Sequence, residues 1–220
     1  MKKLTELSNE IKTIFPNVVE KEIGEYSYLK YPKLLPMLKM RVKQYSLEGF
    51  GSIMVMNTSM MGLMKLSTFS FTPNTSLSVP FLLIDTMSMG KKRLAYFELY
   101  DCRKDKSELP LLQSLKDKYK DIEDYQEKEA WYIKERMEGS LIKCASKDKE
   151  EDLVDMLLDA LKSYKECIDK ADCDVENLAK LQEFANRMVK EGNPSSGTLN
   201  KVLGEEKAID FFNKIVMSLK

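Results

Sequence analysis

The chain has 220 residues, of which 43% are hydrophobic and 32% charged, and its 35 basic residues equal its 35 acidic residues. That balance argues against non-specific binding to nucleic acid, and the absence of histidine excludes His-containing zinc or haem sites and Ser-His-Asp or Cys-His catalytic sites. We expect a cytoplasmic protein with no membrane partner and with free thiols, because the cysteines form no CxxC pair and neither a signal peptide nor a membrane-spanning apolar run occurs.

The first half of the chain is predicted to contain one helix and then a sheet. A helix is expected over residues 3–15, because Leu4, Leu7 and Ile11 follow helical spacing and Pro16 ends the segment. From Gly24 onwards the pattern changes to six short strands. These are expected at 26–29, 40–45, 53–55, 66–70, 81–86 and 94–100. The short turns between them imply an antiparallel meander, since parallel pairs need long crossovers.

The second half is predicted to be helical. Helices are expected at 109–119, 148–169, 178–188 and 208–219. The helix at 148–169 carries the clearest apolar stripe, with Leu153, Leu157 and Leu161 at helical spacing. A central sheet with helices segregated around it, an α/β fold, is the economical architecture for this order of elements.

Asp85 is the residue that most needs an explanation. It follows the apolar run 79–84, which is typical of a strand covered on both faces, and it shares a face with Phe81 and Leu83. A carboxylate in such surroundings loses solvation, so its pKa should rise towards neutrality, as a proton donor requires. The alternative is a structural aspartate that bonds an N–H of the turn before Gly90.

Two further features admit two interpretations each. A set of methionines in and beside the predicted strands could line an adaptable pocket for a large flat ligand, or could simply fill the core. This set consists of Met54, Met56, Met60, Met61, Met64, Met87 and Met89. The run Lys91-Lys92-Arg93 could attract carboxylates or an acidic protein, or could form a solvated hairpin tip.

Segments in two parts of the chain resemble the ferredoxin-dependent bilin reductases. The first is Leu77-Ser78-Val79-Pro80-Phe81-Leu82-Leu83-Ile84-Asp85, followed after a hairpin by Ala95-Tyr96-Phe97-Glu98-Leu99-Tyr100. The second, near the C-terminus, is Asn193-Pro194-Ser195-Ser196-Gly197, then Leu203-Gly204-Glu205-Glu206-Lys207-Ala208 and Phe211-Phe212. The similarity covers roughly residues 40–220. The related red chlorophyll catabolite reductases share the fold.

The resemblance implies a three-layer α/β/α sandwich with a central antiparallel sheet. It implies a single domain over 1–220, with a helix at 3–15, a sheet at about 24–101 and C-terminal helices at about 107–220. It further implies reduction of a linear tetrapyrrole (bilin) such as biliverdin, held between the sheet and the C-terminal helices. Electrons would arrive singly from reduced ferredoxin, or from flavodoxin, with no bound cofactor or metal, and Asp85 would be the central proton donor.

The sequence also departs from that family. Many members carry a histidine on the strand next to the aspartate, and the corresponding stretch 66–73 has none. Ser67 or Thr68 could hold a water or a substrate oxygen, but a hydroxyl cannot act as an acid near neutral pH. Members of the family carry a second polar residue in the segment before the final helices, and Asn193 is the candidate for it here. The alternative is an asparagine that only stabilises a turn. The predicted substrate-binding residues are Ser67, Thr68, Met87, Asn193 and Arg93.

Other functions therefore stay open at this point. The missing histidine favours a non-catalytic protein that binds or carries a tetrapyrrole on the same fold. A third hypothesis is a structural or interaction protein in which the methionine-rich strands only pack. The basic run 91–93 would contact either acidic ferredoxin or a propionate of the substrate.

Overall fold

The computed structural model describes residues 3–32, 34–73, 77–103, 109–172, 177–193 and 195–218, with the backbone alone described at 177–179. These residues form an eight-stranded antiparallel sheet. Its strands are β1 (Val18–Lys21), β2 (Tyr28–Tyr31), β3 (Leu38–Leu47), β4 (Gly51–Met60), β5 (Met64–Pro73), β6 (Phe81–Met89), β7 (Lys92–Tyr100) and β8 (Leu141–Ser146). The strands from β3 to β7 form the predicted meander, β1 and β2 both pair with β3, and β8 pairs with β7.

In the described ranges, one α-helix precedes β1, one lies between β7 and β8, and four follow β8. They are α1 (Leu7–Ile14), α2 (Pro110–Lys118), α3 (Glu150–Asp169), α4 (Asn177–Lys190), α5 (Ser196–Leu203) and α6 (Glu205–Phe211). A π-helical turn, Phe212–Val216, continues α6. None of the helices in the described ranges is long and apolar enough to cross a membrane.

The strand period of two divides the apolar side chains of the sheet between two clusters. On one face, Phe69, Ile84 and Phe97 pack in a cluster with side chains of α1 and α3. On the other face, Met56 and Leu83 pack in a cluster with side chains of α4, α5 and α6. Asp85 lies two residues after Leu83 and therefore belongs to the second face. An α/β fold with an antiparallel sheet is thus confirmed.

The prediction of six strands confined to about 24–101 was wrong, because the sheet has two further strands. β1 is a short, largely exposed strand of four residues. β8 lies where only helices were expected, and its Lys143 is buried, donating to the backbone oxygen of Ile122 at 2.9 Å and pairing with Asp124. Pairing with β7 makes this segment a strand, whereas its own sequence shows no apolar alternation. Tyr26 lies in a 3₁₀ turn, not in a strand.

Some predictions fall outside the part of the chain that the structure describes. These concern the thiol of Cys173, the motif residue Pro194 and the end of the last helix at position 219. Of the cysteines in the described ranges, Cys144 and Cys167 are free thiols.

A buried ion pair connects the β6–β7 hairpin to α3 and to the N-terminal segment. Arg93 Nε donates to Glu150 Oε2 at 2.8 Å, and both side chains are less than a tenth exposed. The second oxygen of Glu150 accepts the N–H of Leu4 at 3.0 Å, and Arg93 Nη1 donates to the carbonyls of Gly90 and Lys92. The Arg93 guanidinium therefore donates hydrogen bonds to the carbonyl groups of the turn, and the Glu150 carboxylate accepts one from the N-terminal segment.

Breaking this pair on one side should destabilise the protein. Glu150→Gln keeps an acceptor for Leu4 but leaves Arg93 as an unpaired buried charge, which should lower the free energy of unfolding by about 3 kcal/mol in urea denaturation. Arg93→Met in the Glu150→Gln background should recover most of that loss. As a control, Lys207→Met breaks the exposed pair with Glu25 and should cost less than about 1 kcal/mol. A double variant no more stable than Glu150→Gln would contradict this account.

Candidate active site

A cavity of about 330 Å³ lies on the sheet face that carries Asp85. Strands β3 to β7 line one side, and the other lining residues come from the segment 125–136 and from Ser195 and Thr198 near the start of α5. A smaller pocket shares Asp85, Thr68 and Ser195 with it and extends towards Asn193. The combined space is in the size range of ligand sites, and Asp85 lines both parts of it.

Methionine and tyrosine side chains make this cavity largely apolar. Four of the methionines singled out in the sequence line it, namely Met56, Met60, Met64 and Met87, together with Met40. Met54 packs in the core instead, and Met61 and Met89 are exposed. Tyr96, Tyr125 and Tyr132 contribute aromatic rings. These unbranched and flat side chains suit a large planar ligand.

Asp85 occupies the centre of the strand row that faces the cavity. The register pairs it with Thr68 on β5 and with Tyr96 on β7, so the three side chains share one face. The Thr68 hydroxyl donates to Asp85 Oδ1. Burial raises the pKa of Asp85 to about 6, against the opposing effects of the Thr68 hydrogen bond and the Arg136 charge. The carboxyl opens onto the cavity rather than onto bulk water.

A second carboxylic acid, Glu98, lies beside Asp85 on the same face and is only 2% exposed. Its carboxylate contacts the guanidinium of Arg136 and accepts the hydroxyl of Tyr100 at 3.0 Å. Arg136 also binds both oxygens of Glu127. Burial raises the pKa of Glu98 to about 7, the Arg136 charge opposes this shift, and the Asp85 charge adds to it. The Arg136 guanidinium therefore pairs with the carboxylates of both Glu98 and Glu127.

Three of the predicted substrate-binding residues lie at the site. Thr68 and Met87 line the cavity, and Asn193 lines the smaller pocket. Thr68 lies directly across from Asp85 on the neighbouring strand, in the stretch where many members of the resembling family carry a histidine. Asn193 uses its side chain to accept the N–H of Ser195 at 3.0 Å and to donate to the carbonyl of Met188. Its amide thus stabilises the turn before α5 while it borders the pocket.

The other two predicted substrate-binding residues point away from the cavity. Ser67 is one residue out of phase with Thr68, and its hydroxyl donates to Asn57 Oδ1 at 2.7 Å on the opposite face. Arg93 is likewise out of phase with Tyr96 and is held by Glu150 on that opposite face. The strand period of two is the physical reason in both cases. By contrast, Lys92 Nζ lies 4.5 Å from the ring centroid of the cavity residue Tyr125.

The sequence argument missed Glu98, Glu127 and Arg136. Glu98 carried a usable signal, because it is a carboxylate in the apolar stretch 94–100 and shares a strand face with Tyr96 and Tyr100. Glu127 and Arg136 come from an irregular segment whose pattern predicts no partner. The described residues contain no group of acidic or cysteine side chains arranged to hold a metal ion.

The raised pKa of Asp85 predicts a specific dependence of stability on pH. A carboxyl with a higher pKa in the folded state stabilises the fold most below about pH 4, and this stabilisation is lost as the pH rises through about 6. Urea denaturation at about pH 4.5 and about pH 8 should show that the wild type loses ~2 kcal/mol more than Asp85→Asn. Asp117→Asn, at an exposed position on α2, should not change the pH difference. Equal losses in wild type and Asp85→Asn would show that Asp85 titrates normally.

Comparison with known proteins extends the resemblance stated from the sequence. No family model matches the chain, and no curated protein matches it. Among solved structures, the chain is similar to phytochromobilin synthase from tomato in complex with biliverdin, with a TM-score of 0.79 and 11% sequence identity. The similarity covers 96% of this chain and 80% of the tomato chain. The chain therefore has the fold of tomato phytochromobilin synthase, which confirms the resemblance at the level of the fold.

Proposed function

We propose that this protein reduces a linear tetrapyrrole of the biliverdin type, with electrons delivered one at a time by reduced ferredoxin or flavodoxin and with Asp85 as a proton donor. The observation that carries the proposal is the Asp85 carboxyl, whose pKa burial raises and which faces a largely apolar cavity. The fold shared with a biliverdin-bound reductase supports the choice of ligand. We further propose that the protein is cytoplasmic and that its helices and sheet form a three-layer α/β/α sandwich.

The cavity offers the contacts that an open-chain tetrapyrrole needs. Methionine side chains adjust to a curved ligand, and the rings of Tyr96 and Tyr132 offer faces and edges to conjugated pyrroles. Arg136 is already bound to Glu98 and Glu127. The acidic propionates of the ligand are therefore best placed near Lys92, whose ammonium group lies over the ring of the cavity residue Tyr125.

Asp85 has the properties of a donor in this setting. A pKa of about 6 keeps a useful fraction of the acid protonated near neutral pH, and the carboxyl is fixed by Thr68. As an electron enters the pigment, its basicity rises and the proton moves from Asp85 to a pyrrole nitrogen, a carbonyl oxygen or a carbon atom. The low dielectric of the cavity strengthens this interaction. The proposal assigns the supply of electrons to the external donor and requires no bound metal or flavin.

A non-catalytic bilin carrier is the second candidate. The specific observation in its favour is Thr68, a hydroxyl that cannot supply a proton at neutral pH, at the position across from Asp85. A carrier would use the same cavity and the same contacts. The two candidates differ only in what happens to the bound pigment when electrons arrive.

Biliverdin binding and reduction should separate the candidates. Titration with biliverdin should give a saturable, red-shifted visible spectrum, and addition of reduced ferredoxin should then bleach or shift it. A red-shifted complex that reduced ferredoxin leaves unchanged would favour the carrier. Absence of any spectral change on titration would remove both candidates.

Asp85→Asn should bind biliverdin but lose turnover. The amide keeps the size of the side chain and has no acidic proton, so the rate should fall roughly 10²- to 10⁴-fold while the dissociation constant stays within about tenfold. Single-turnover absorbance with reduced ferredoxin measures the rate, and titration measures the binding. Turnover at the wild-type rate would exclude Asp85 as the donor.

Thr68 and Ser67 provide a matched pair of variants on opposite faces. Thr68→Val removes the hydrogen bond that lowers the pKa of Asp85, so the alkaline limb of the pH–rate profile should move to higher pH by up to about one unit. Ser67→Ala removes a hydroxyl that contacts only the far face and should leave the profile unchanged. A shift of equal size in both variants would contradict the role given to Thr68.

A further inference from the structure

We infer that Glu98 stores the second proton that a two-electron reduction of the pigment consumes, and that it delivers this proton through Asp85. This inference rests on the proposed function. Reduction of one double bond takes up two electrons and two protons, and the Asp85 carboxyl carries one proton. The other carboxylate that lines the cavity, Glu127, is bound through both oxygens to Arg136. The second proton must therefore come from solvent or from a neighbouring group.

Glu98 is the neighbouring group that the sheet places beside Asp85. The register pairs Asp85 with Tyr96, and Glu98 lies two residues further along β7, so the two carboxyls are diagonal neighbours on one face. Such positions are about 7 Å apart between Cβ atoms, which two carboxyl side chains can bridge. Glu98 is buried and does not line the cavity. It is therefore a positioning residue that acts through Asp85 and does not touch the ligand.

The charges around Glu98 favour a stored proton. The titratable groups that face it are Asp85 on β6, Tyr96 and Tyr100 on β7, and Glu127, Tyr132 and Arg136 in the segment 125–136. Three carboxyls and one guanidinium would leave two uncompensated negative charges if all ionised. Burial makes that arrangement costly, so the cluster binds a proton near neutral pH more readily than exposed carboxyls would. The phenols stay neutral, because burial raises the pKa of each of them.

The same contacts explain why the proton can leave Glu98 when it is needed. After Asp85 has protonated the pigment, its carboxylate is a base diagonally next to Glu98 on the same sheet face. Transfer moves the negative charge to Glu98, where the Arg136 guanidinium and the Tyr100 hydroxyl stabilise it. Asp85 then protonates the pigment again as the second electron arrives. Over the reaction, the donor supplies two electrons, the pair supplies two protons, and solvent reprotonates both carboxylates.

Infrared spectroscopy of the ligand-free protein tests the stored proton without any turnover. The infrared difference spectrum between about pH 5 and about pH 9 should contain, in the wild type, carbonyl bands from two carboxyls that are protonated at the lower pH. Asp85→Asn should remove one band and Glu98→Gln the other, which titrates near neutral pH. Glu127→Gln, in the same cluster, should remove neither. If Glu98→Gln leaves both bands in place, Glu98 holds no proton and the inference fails.

Single-turnover reduction of biliverdin tests the delivery. In Glu98→Gln the first electron and proton should be taken up at the wild-type rate, while the one-electron-reduced pigment, followed by electron paramagnetic resonance, should persist roughly 10²-fold longer. Glu98→Asp restores a titratable carboxyl and should shorten that lifetime. Decay at the wild-type rate in Glu98→Gln would overturn the delivery. If the wild type leaves biliverdin unchanged, the proposed function and the delivery both fail, whereas the infrared bands still decide whether Glu98 stores a proton.

Discussion

The electrostatic constraint at the centre of this protein is that a single buried guanidinium, that of Arg136, lies among three carboxyl groups. Water cannot compensate the excess negative charge there, because Glu98 is almost fully buried and Asp85 faces a largely apolar cavity. Protons must compensate it instead. Burial is the largest cause of the raised pKa at both Asp85 and Glu98, and the Arg136 charge opposes it at each of them. The fold thus provides two carboxyls with pKa values of about 6 and about 7 without a histidine.

The antiparallel meander turns this constraint into a defined geometry. The register of neighbouring strands brings Thr68, Asp85 and Tyr96 into one row across β5, β6 and β7. Glu98 lies on β7, two residues after Tyr96 and on the same face. Hairpin strands allow little freedom in this placement, since a slip of one residue would move every side chain to the other face. The Arg93–Glu150 pair on the far face fixes the hairpin that carries both acids.

How much could be predicted from sequence depended on whether the signal was local. Asp85 and the strands from β3 to β7 follow from apolar runs, alternation and turn residues, which are properties of short segments. Ser67 and Arg93 show the limit of residue chemistry without phase, because each has a suitable side chain on the wrong face. β8 and Arg136 could not be predicted, since a pairing with β7 and an ion pair with Glu98 define them and neither partner is near in sequence.

The separation of the apolar side chains into two clusters has a consequence for substitutions in the cavity. Side chains that line the cavity belong to one face, and those that pack against α1 and α3 belong to the other. Substitutions among the cavity methionines can therefore change the shape of the cavity while the far-face cluster keeps its packing. The shape of the cavity and the packing of the far face are thus set by different residues of the same strands.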